Sequence, residues 1–231
     1  ELLTETAETV LKRRYYLKDQ DGNPVENWEA LCERVGNAVA AGTRKPKNYE
    51  ALRKRFYDMM YNLEFLPNSP CLMNAGTDLG QLSACFVLPV SDTMQSIFET
   101  LKHTALIHQS GGGTGFNFSA LRPRGDLTGA GPGTASGPVA FMKVYDEATE
   151  QVKQGGRRRG ANMGVLNISH PDIRDFVRTK SDPAQLQNFN ISVGITDAFI
   201  DAVGYRPAWP LHSSWDLAQW GEVRAPELWE L

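Results

Sequence analysis

The residues able to do chemistry sit in a few short stretches of the chain. Cys32, Cys71 and Cys85 are far apart, with no CxxC pair. That spacing lacks the ligands of a zinc site and the density of a disulfide framework, so the thiols are read as reduced and the compartment as cytoplasmic. Such a thiol is either a small buried apolar group or a two-electron redox partner. Gly111-Gly112-Gly113-Thr114-Gly115 permits positive φ and close approach to a ligand. No Gly-Lys-Ser/Thr follows, which excludes a P-loop and leaves a tight turn or a ligand contact. The stretch Gln154 to Asn162 sets Arg157, Arg158 and Arg159 between glycines. Guanidinium forks match phosphate oxygens, while a solvated charge run is the plainer reading. Arg122 and Arg124 flank Pro123 and suggest a second basic loop. Asp92-Thr93-Met94-Gln95 is a helix-capping signal, with Asp92 as the cap.

The elements that must carry these groups follow from periodicity. Ala7, Val10 and Leu11, then Trp28, Leu31, Val35 and Val39, then Leu52, Phe56 and Leu63 repeat at helical spacing. Residues 1–66 are therefore expected to be a helical region. From 67 to 203 strands and helices alternate. Leu82 to Leu88, Thr114 to Leu121, Asn162 to Ile168 and Phe189 to Val193 read as strands. Helices are expected from Asp92 to the Gly111 stop, after Ser136-Gly137-Pro138, after Ser169-His170-Pro171, and from a cap at Thr196. This order is that of parallel α/β architecture. Residues 204–231 form a tail rich in tryptophan (Trp209, Trp215, Trp220, Trp229) that needs a surface to pack on and reads as the start of an unfinished domain.

Composition bounds the function classes. The chain has 231 residues, 41% of them apolar, enough for a substantial core. Its 24 basic and 27 acidic residues leave a net charge of −3, giving no reason to expect a nucleic-acid or membrane partner. No apolar run approaches the roughly 18 residues of a membrane span.

Several motifs together carry a resemblance. They are Pro67-Asn68-Ser69-Pro70-Cys71-Leu72-Met73-Asn74-Ala75-Gly76, Gln81-Leu82-Ser83-Ala84-Cys85, Asp92-Thr93-Met94, Ser110 to Gly115, Arg122-Pro123-Arg124-Gly125-Asp126 and the Gln154 to Gly164 loop. In this order they resemble the catalytic subunit of ribonucleotide reductases, in a form nearest to the adenosylcobalamin-dependent class. The resemblance runs from about Val10 to the tail. It implies an α/β fold in which the N-terminal helical region is followed by the first half of a ten-stranded α/β barrel.

The resemblance implies the following roles. Cys85 matches a reducing cysteine that becomes half of a disulfide at each turnover. Ser69, Ser83 and Gly113 match substrate contacts. Asp92, with Thr93 and Met94, and Arg122 match the site of a deoxynucleoside triphosphate effector, Asp92 at the ribose and Arg122 at phosphate. Gln154 and Arg158 fall in the loop that relays effector identity to the substrate. No metal ligand is expected in the chain. The family's radical-forming cysteine, second reducing cysteine and C-terminal cysteine pair have no counterpart here. The expected partners are therefore a second chain carrying the finger loop, a homodimer mate through the helix after Asp92, the nucleotide substrate and effector, and a thioredoxin-like reductant. Adenosylcobalamin would be bound mainly outside this chain. The competing readings are a non-catalytic nucleotide-binding regulatory chain, which would not need the Cys85 thiol, and the large subunit of a diiron-class reductase.

Overall fold

A computed structural model describes residues 2–129, 132–152, 160–205, 208–212 and 219–231. The chain divides into two compact units, Glu1–Ala84 and Cys85–Leu231.

The first unit is helical. Helix α1 (Glu5–Arg14) starts at Thr4, whose side chain accepts from the Ala7 amide; Glu5 and Glu8 lie in its first turn and Lys12, Arg13 and Arg14 in its last. That charge order suits the helix dipole. Helix α2 (Trp28–Ala41) is capped by Asn27, and α3 (Tyr49–Tyr61) packs along it. Gly36 lets the two helices approach, because a Cβ there would lie 3.2 Å from the Arg53 carbonyl oxygen. Helix α4 (Ser69–Asn74) is capped by Asn68. The guanidinium of Arg34 meets Glu26 through two bonds of 2.6 and 3.0 Å and also donates to the Leu72 and Ala75 carbonyls, fixing the end of α4. Leu31, Cys32, Val35, Leu72 and Ala75 form the unit's core.

The second unit is built on four parallel strands in the order β1-β2-β3-β4: β1 (Cys85–Leu88), β2 (Gly113–Asn117), β3 (Asn162–Asn167) and β4 (Phe189–Gly194). Helices α5 (Met94–Gln109), α6 (Pro138–Gln151) and α7 (Ile173–Thr179) lie in the three connections. Parallel neighbours require such crossovers. The core is aromatic: Tyr145 of α6 meets Phe116 edge-on at 5.1 Å and Phe118 at 5.8 Å, and both phenylalanines lie against Phe189. Helix α8 (Asp197–Tyr205) is followed by the antiparallel pair β5 (Ala208–His212) and β6 (Gln219–Arg224), then α9 (Ala225–Trp229).

The helical region followed by parallel α/β structure agrees with the expected fold class. Two strands are shorter than their patterns suggested. The first begins at Cys85 rather than Leu82, and the second stops at Asn117, where the Asn117 side chain accepts from the Ser119 amide and starts a 3-10 turn. In the tail, Trp209 packs edge-on against Phe199 at 5.1 Å, whereas Trp220 and Trp229 are exposed; Trp215 lies outside the described residues. No helix among the described residues is long and apolar enough to cross a membrane.

Candidate functional site

Strand β1 presents Cys85 as its first residue, and the parallel register sets Cys85 directly beside Gly113 at the start of β2. The three thiols differ sharply. Cys85 is exposed, while Cys32 and Cys71 are buried. Burial pushes the Cys32 thiol up to about 12 and raises that of Cys71, so neither forms a thiolate readily. Glycine at 113 leaves the backbone beside Cys85 uncovered by a side chain. The arrangement offers an exposed thiol at a strand end beside a residue with no side chain.

A second feature lies at the other end of β1. Arg122 reaches back across thirty residues of chain to Asp92. Its Nε donates to Asp92 Oδ2 at 2.6 Å, its amide to Oδ1 at 3.0 Å, and its Nη1 to the Leu127 carbonyl at 2.8 Å. The Asp92 side chain is 9% exposed and that of Arg122 20%. Charge-assisted bonds of this kind are stronger than neutral ones. They close one wall of a cleft of about 290 Å³ that also involves Thr93, Met94, Thr128, Thr134 and Ser136. Two helix N-termini face it, those of α5 and α6. The first turn of α6 has no side-chain cap, its cap residue being Gly137 at φ 77°. Uncapped amides at a helix start favour an anion. Hydroxyls, a carboxylate, a guanidinium and a helix start without a side-chain cap together suit a ligand carrying both ribose and phosphate.

The helix cap is a correction. Asp92 was expected to cap α5, but Thr93 does so: its backbone is extended and its hydroxyl accepts from the Ser96 amide at 3.1 Å. Asp92 is drawn away by the guanidinium. Arg122, for its part, is not a solvated loop residue. Of the residues in the first unit that were expected to contact substrate, Ser69 is the first residue of α4 and its Oγ lies 3.0 Å from the Tyr15 hydroxyl, and Ser83 is exposed just before β1. Gln154 and Arg158 lie outside the described residues.

Sequence reasoning missed the acidic support of the basic loop. Asp172, just before α7, accepts from the Arg124 amide at 2.9 Å, and burial raises its carboxyl above the ordinary value. The adjacent His170 imidazole bonds the Leu121 carbonyl at 2.9 Å, and burial lowers it. Only the Ser169-His170-Pro171 helix-start signal pointed to this region. Among the described residues no group of three or more His, Cys, Asp or Glu could hold a metal ion.

Comparison with known proteins gives matches over nearly the whole chain. Residues 1–80 match the family described as ribonucleotide reductase, all-alpha domain, and residues 83–228 match ribonucleotide reductase, barrel domain. A vitamin B12-dependent ribonucleoside-diphosphate reductase of Thermoplasma acidophilum is 46% identical over 257 residues, covering 86% of this chain and 34% of that protein. One from Mycobacterium tuberculosis is 52% identical over 204 residues, covering 87% of this chain and 30% of that protein. A ribonucleoside-diphosphate reductase subunit alpha of Chlamydia muridarum is 29% identical over 206 residues, covering 87% of this chain and 19% of that protein. The chain thus spans about a third of the length of the first two relatives.

Proposed function

Because the chain belongs to the ribonucleotide reductase family, we propose that it supplies the helical layer and the first barrel strands of a cobalamin-dependent reductase that converts ribonucleotides to deoxyribonucleotides. Within it Cys85 acts as a reducing thiol, and the Asp92–Arg122 cleft binds a deoxynucleoside triphosphate effector.

The balance of the reaction defines the task of Cys85. Replacing a ribose hydroxyl by hydrogen consumes two electrons and releases water; two thiols supply the electrons and end as one disulfide. Cys32 and Cys71 are buried, so the second thiol comes from the remainder of the enzyme. A dithiol reductant of the thioredoxin type would then restore the pair. Ser69, Ser83 and Gly113 would line the substrate. Adenosylcobalamin, which the relatives' names imply, supplies the initiating radical when bound. In this reading the residues lining the cleft, among them a carboxylate, a guanidinium and several hydroxyls, are assigned to nucleotide.

The observation that carries the proposal is the convergence of Asp92 and Arg122 on a polar cleft at two helix starts. In this reading the carboxylate holds the ribose and the guanidinium holds phosphate, with Gln154 and Arg158 in the relaying loop. Helix α5 also exposes Met94, Phe98 and Leu106, an apolar stripe suited to a mate in a homodimer. Arg122→Ala is expected to weaken effector binding by about tenfold, equivalent to roughly 1.4 kcal/mol, in a calorimetric titration. Arg122→Lys keeps the charge without the fork and should fall between. An unchanged dissociation constant in Arg122→Ala rejects the effector assignment. Sedimentation in the same buffer is expected to show the effector favouring the dimer.

A further inference from the structure

The backbone that carries Arg122 is fastened to the connection between β3 and α7 by a series of rungs. The Asn167 amide donates to Ser119 Oγ at 2.8 Å, Nε2 of His170 lies 2.9 Å from the Leu121 carbonyl oxygen, and the Arg124 amide donates to Asp172 Oδ2 at 2.9 Å. Residues 119–124 thus run alongside 167–172, and Arg122 sits between the last two rungs. Its own amide and Nε turn to Asp92 instead. Leu121 and His170 are both buried, His170 at 2% exposure.

The imidazole has one permitted state. Nδ1 of His170 accepts from the Asp172 amide at 3.0 Å, and an amide N–H can only donate. The ring proton therefore sits on Nε2 and is donated to the Leu121 carbonyl. Burial lowers the imidazole pKa and favours this neutral ring. Asp172 completes the unit, because its amide orients the ring while its carboxylate receives Arg124. The local helix does not account for that carboxylate, since Asp172 makes no side-chain cap bond to α7. Neither residue lines the Asp92 cleft. What they share is a grip on the peptides that flank Arg122.

We propose that His170 and Asp172 are positioning residues for Arg122, holding the backbone on either side of it so that its guanidinium is set at the cleft before nucleotide arrives. This rests on the effector reading of the Asp92–Arg122 cleft. A guanidinium fork recognises phosphate oxygens by direction as well as by charge, so its pose matters. Asp92 alone fixes one side of the residue. The two flanking rungs fix the chain itself, and a group ordered in advance loses less freedom on binding.

The test uses the complete reductase that contains this sequence. Calorimetric titrations with dATP, dGTP, dCTP and dTTP are made on the wild type, Asp172→Ala, Asp172→Asn, Arg122→Ala and the double variant Arg122→Ala with Asp172→Ala. For the nucleotide that the wild type binds best, Asp172→Ala is expected to weaken binding by at least about threefold, the scale of one lost hydrogen bond. Asp172→Asn keeps an acceptor oxygen for the Arg124 amide and should stay within about 1.5-fold of the wild type. In the Arg122→Ala background, Asp172→Ala should add less than about 1.5-fold, because the residue through which it acts is gone. A general loosening of the fold would move affinity alike in both backgrounds, so an equal loss in the double variant overturns the inference. So does unchanged affinity in Asp172→Ala, or an Asp172→Asn as weak as Asp172→Ala. Should Asp172→Ala not fold, His170→Gln, long enough to donate to Leu121, is compared with His170→Asn, which is one carbon shorter. Only the asparagine variant should lose affinity, and equal affinities overturn the inference. If the wild type binds none of the nucleotides, or Arg122→Ala binds as tightly as the wild type, the effector reading itself fails and this inference falls with it.

Discussion

At the scale of single residues, exposure separates one cysteine from the other two. Cys32 and Cys71 are buried among the apolar side chains of the helical unit, where burial holds them as thiols. Cys85 is exposed at the end of an edge strand. A serine there leaves no cavity, so Cys85→Ser should fold as the wild type does. It cannot enter a disulfide. Multiple turnovers of the complete enzyme, driven by thioredoxin or an external dithiol, are expected to fall at least about a hundredfold, equivalent to roughly 2.7 kcal/mol. A wild-type steady-state rate in this variant would remove Cys85 from the chemistry. The same experiment separates a reductase from a regulatory nucleotide-binding chain, because only the former uses the thiol.

At the scale of elements, the loop that links β2 to α6 is held by a glycine that no other residue can replace cheaply. Gly137 sits at φ 77° and ψ 168°, a region open essentially to glycine alone. A Cβ there would also lie 2.5 Å from Asp172 Oδ2 and 2.9 Å from the Arg124 amide. Gly137→Ala is therefore expected to cost about 1–3 kcal/mol in denaturant unfolding and to weaken effector binding, since the residue lines the cleft. Unchanged stability would show that the backbone relaxes at no cost. The Ser136-Gly137-Pro138 helix start was legible in the sequence, as were α2, α3, α5 and the parallel order, because each rests on local periodicity and caps. What stayed hidden is long-range. Asp92 and Arg122 lie far apart in sequence, and nothing local says that the carboxylate prefers a guanidinium to its own helix. Cys85 and Gly113 could be placed side by side only through the strand register. Thr114 bonds both His108 and Asn162, joining residues whose neighbours look like ordinary helix and strand.

At the scale of the whole molecule, two buried imidazoles link folding to pH. Burial lowers both His108 and His170 below the ordinary 6.5. An unfolded chain takes up these protons as pH falls through about 6.5, while the folded chain does not. The histidines therefore contribute stability that is present above that pH and is lost as pH drops below it. Asp172 next to His170 acts in the opposite direction, because its folded carboxyl holds a proton more readily than an unfolded one. His108 is the cleaner probe. Thermal midpoints measured from pH 7.5 to 5.5 are expected to fall, and to fall less steeply in His108→Gln. Equal slopes would mean that His108 is protonated in the fold.

Ribose reduction also sets a limit at this scale. It needs two thiols in reach of one sugar carbon, and among the cysteines of this chain only Cys85 is exposed. The residues that match the family span about a third of the first relatives' length. The 231 residues by themselves are thus expected to bind effector but to form no deoxynucleotide when given adenosylcobalamin, substrate and dithiol. Supplying the rest of the barrel, as a second chain or by covalent extension, should restore the activity. Binding and turnover are read in parallel by calorimetry and by chromatography of the nucleotide products. Effector binding without product separates a competent cleft from an incomplete catalytic centre. Deoxynucleotide formed by the 231 residues alone would require a second reducing thiol within them, which means that Cys32 or Cys71 must leave its buried site during turnover.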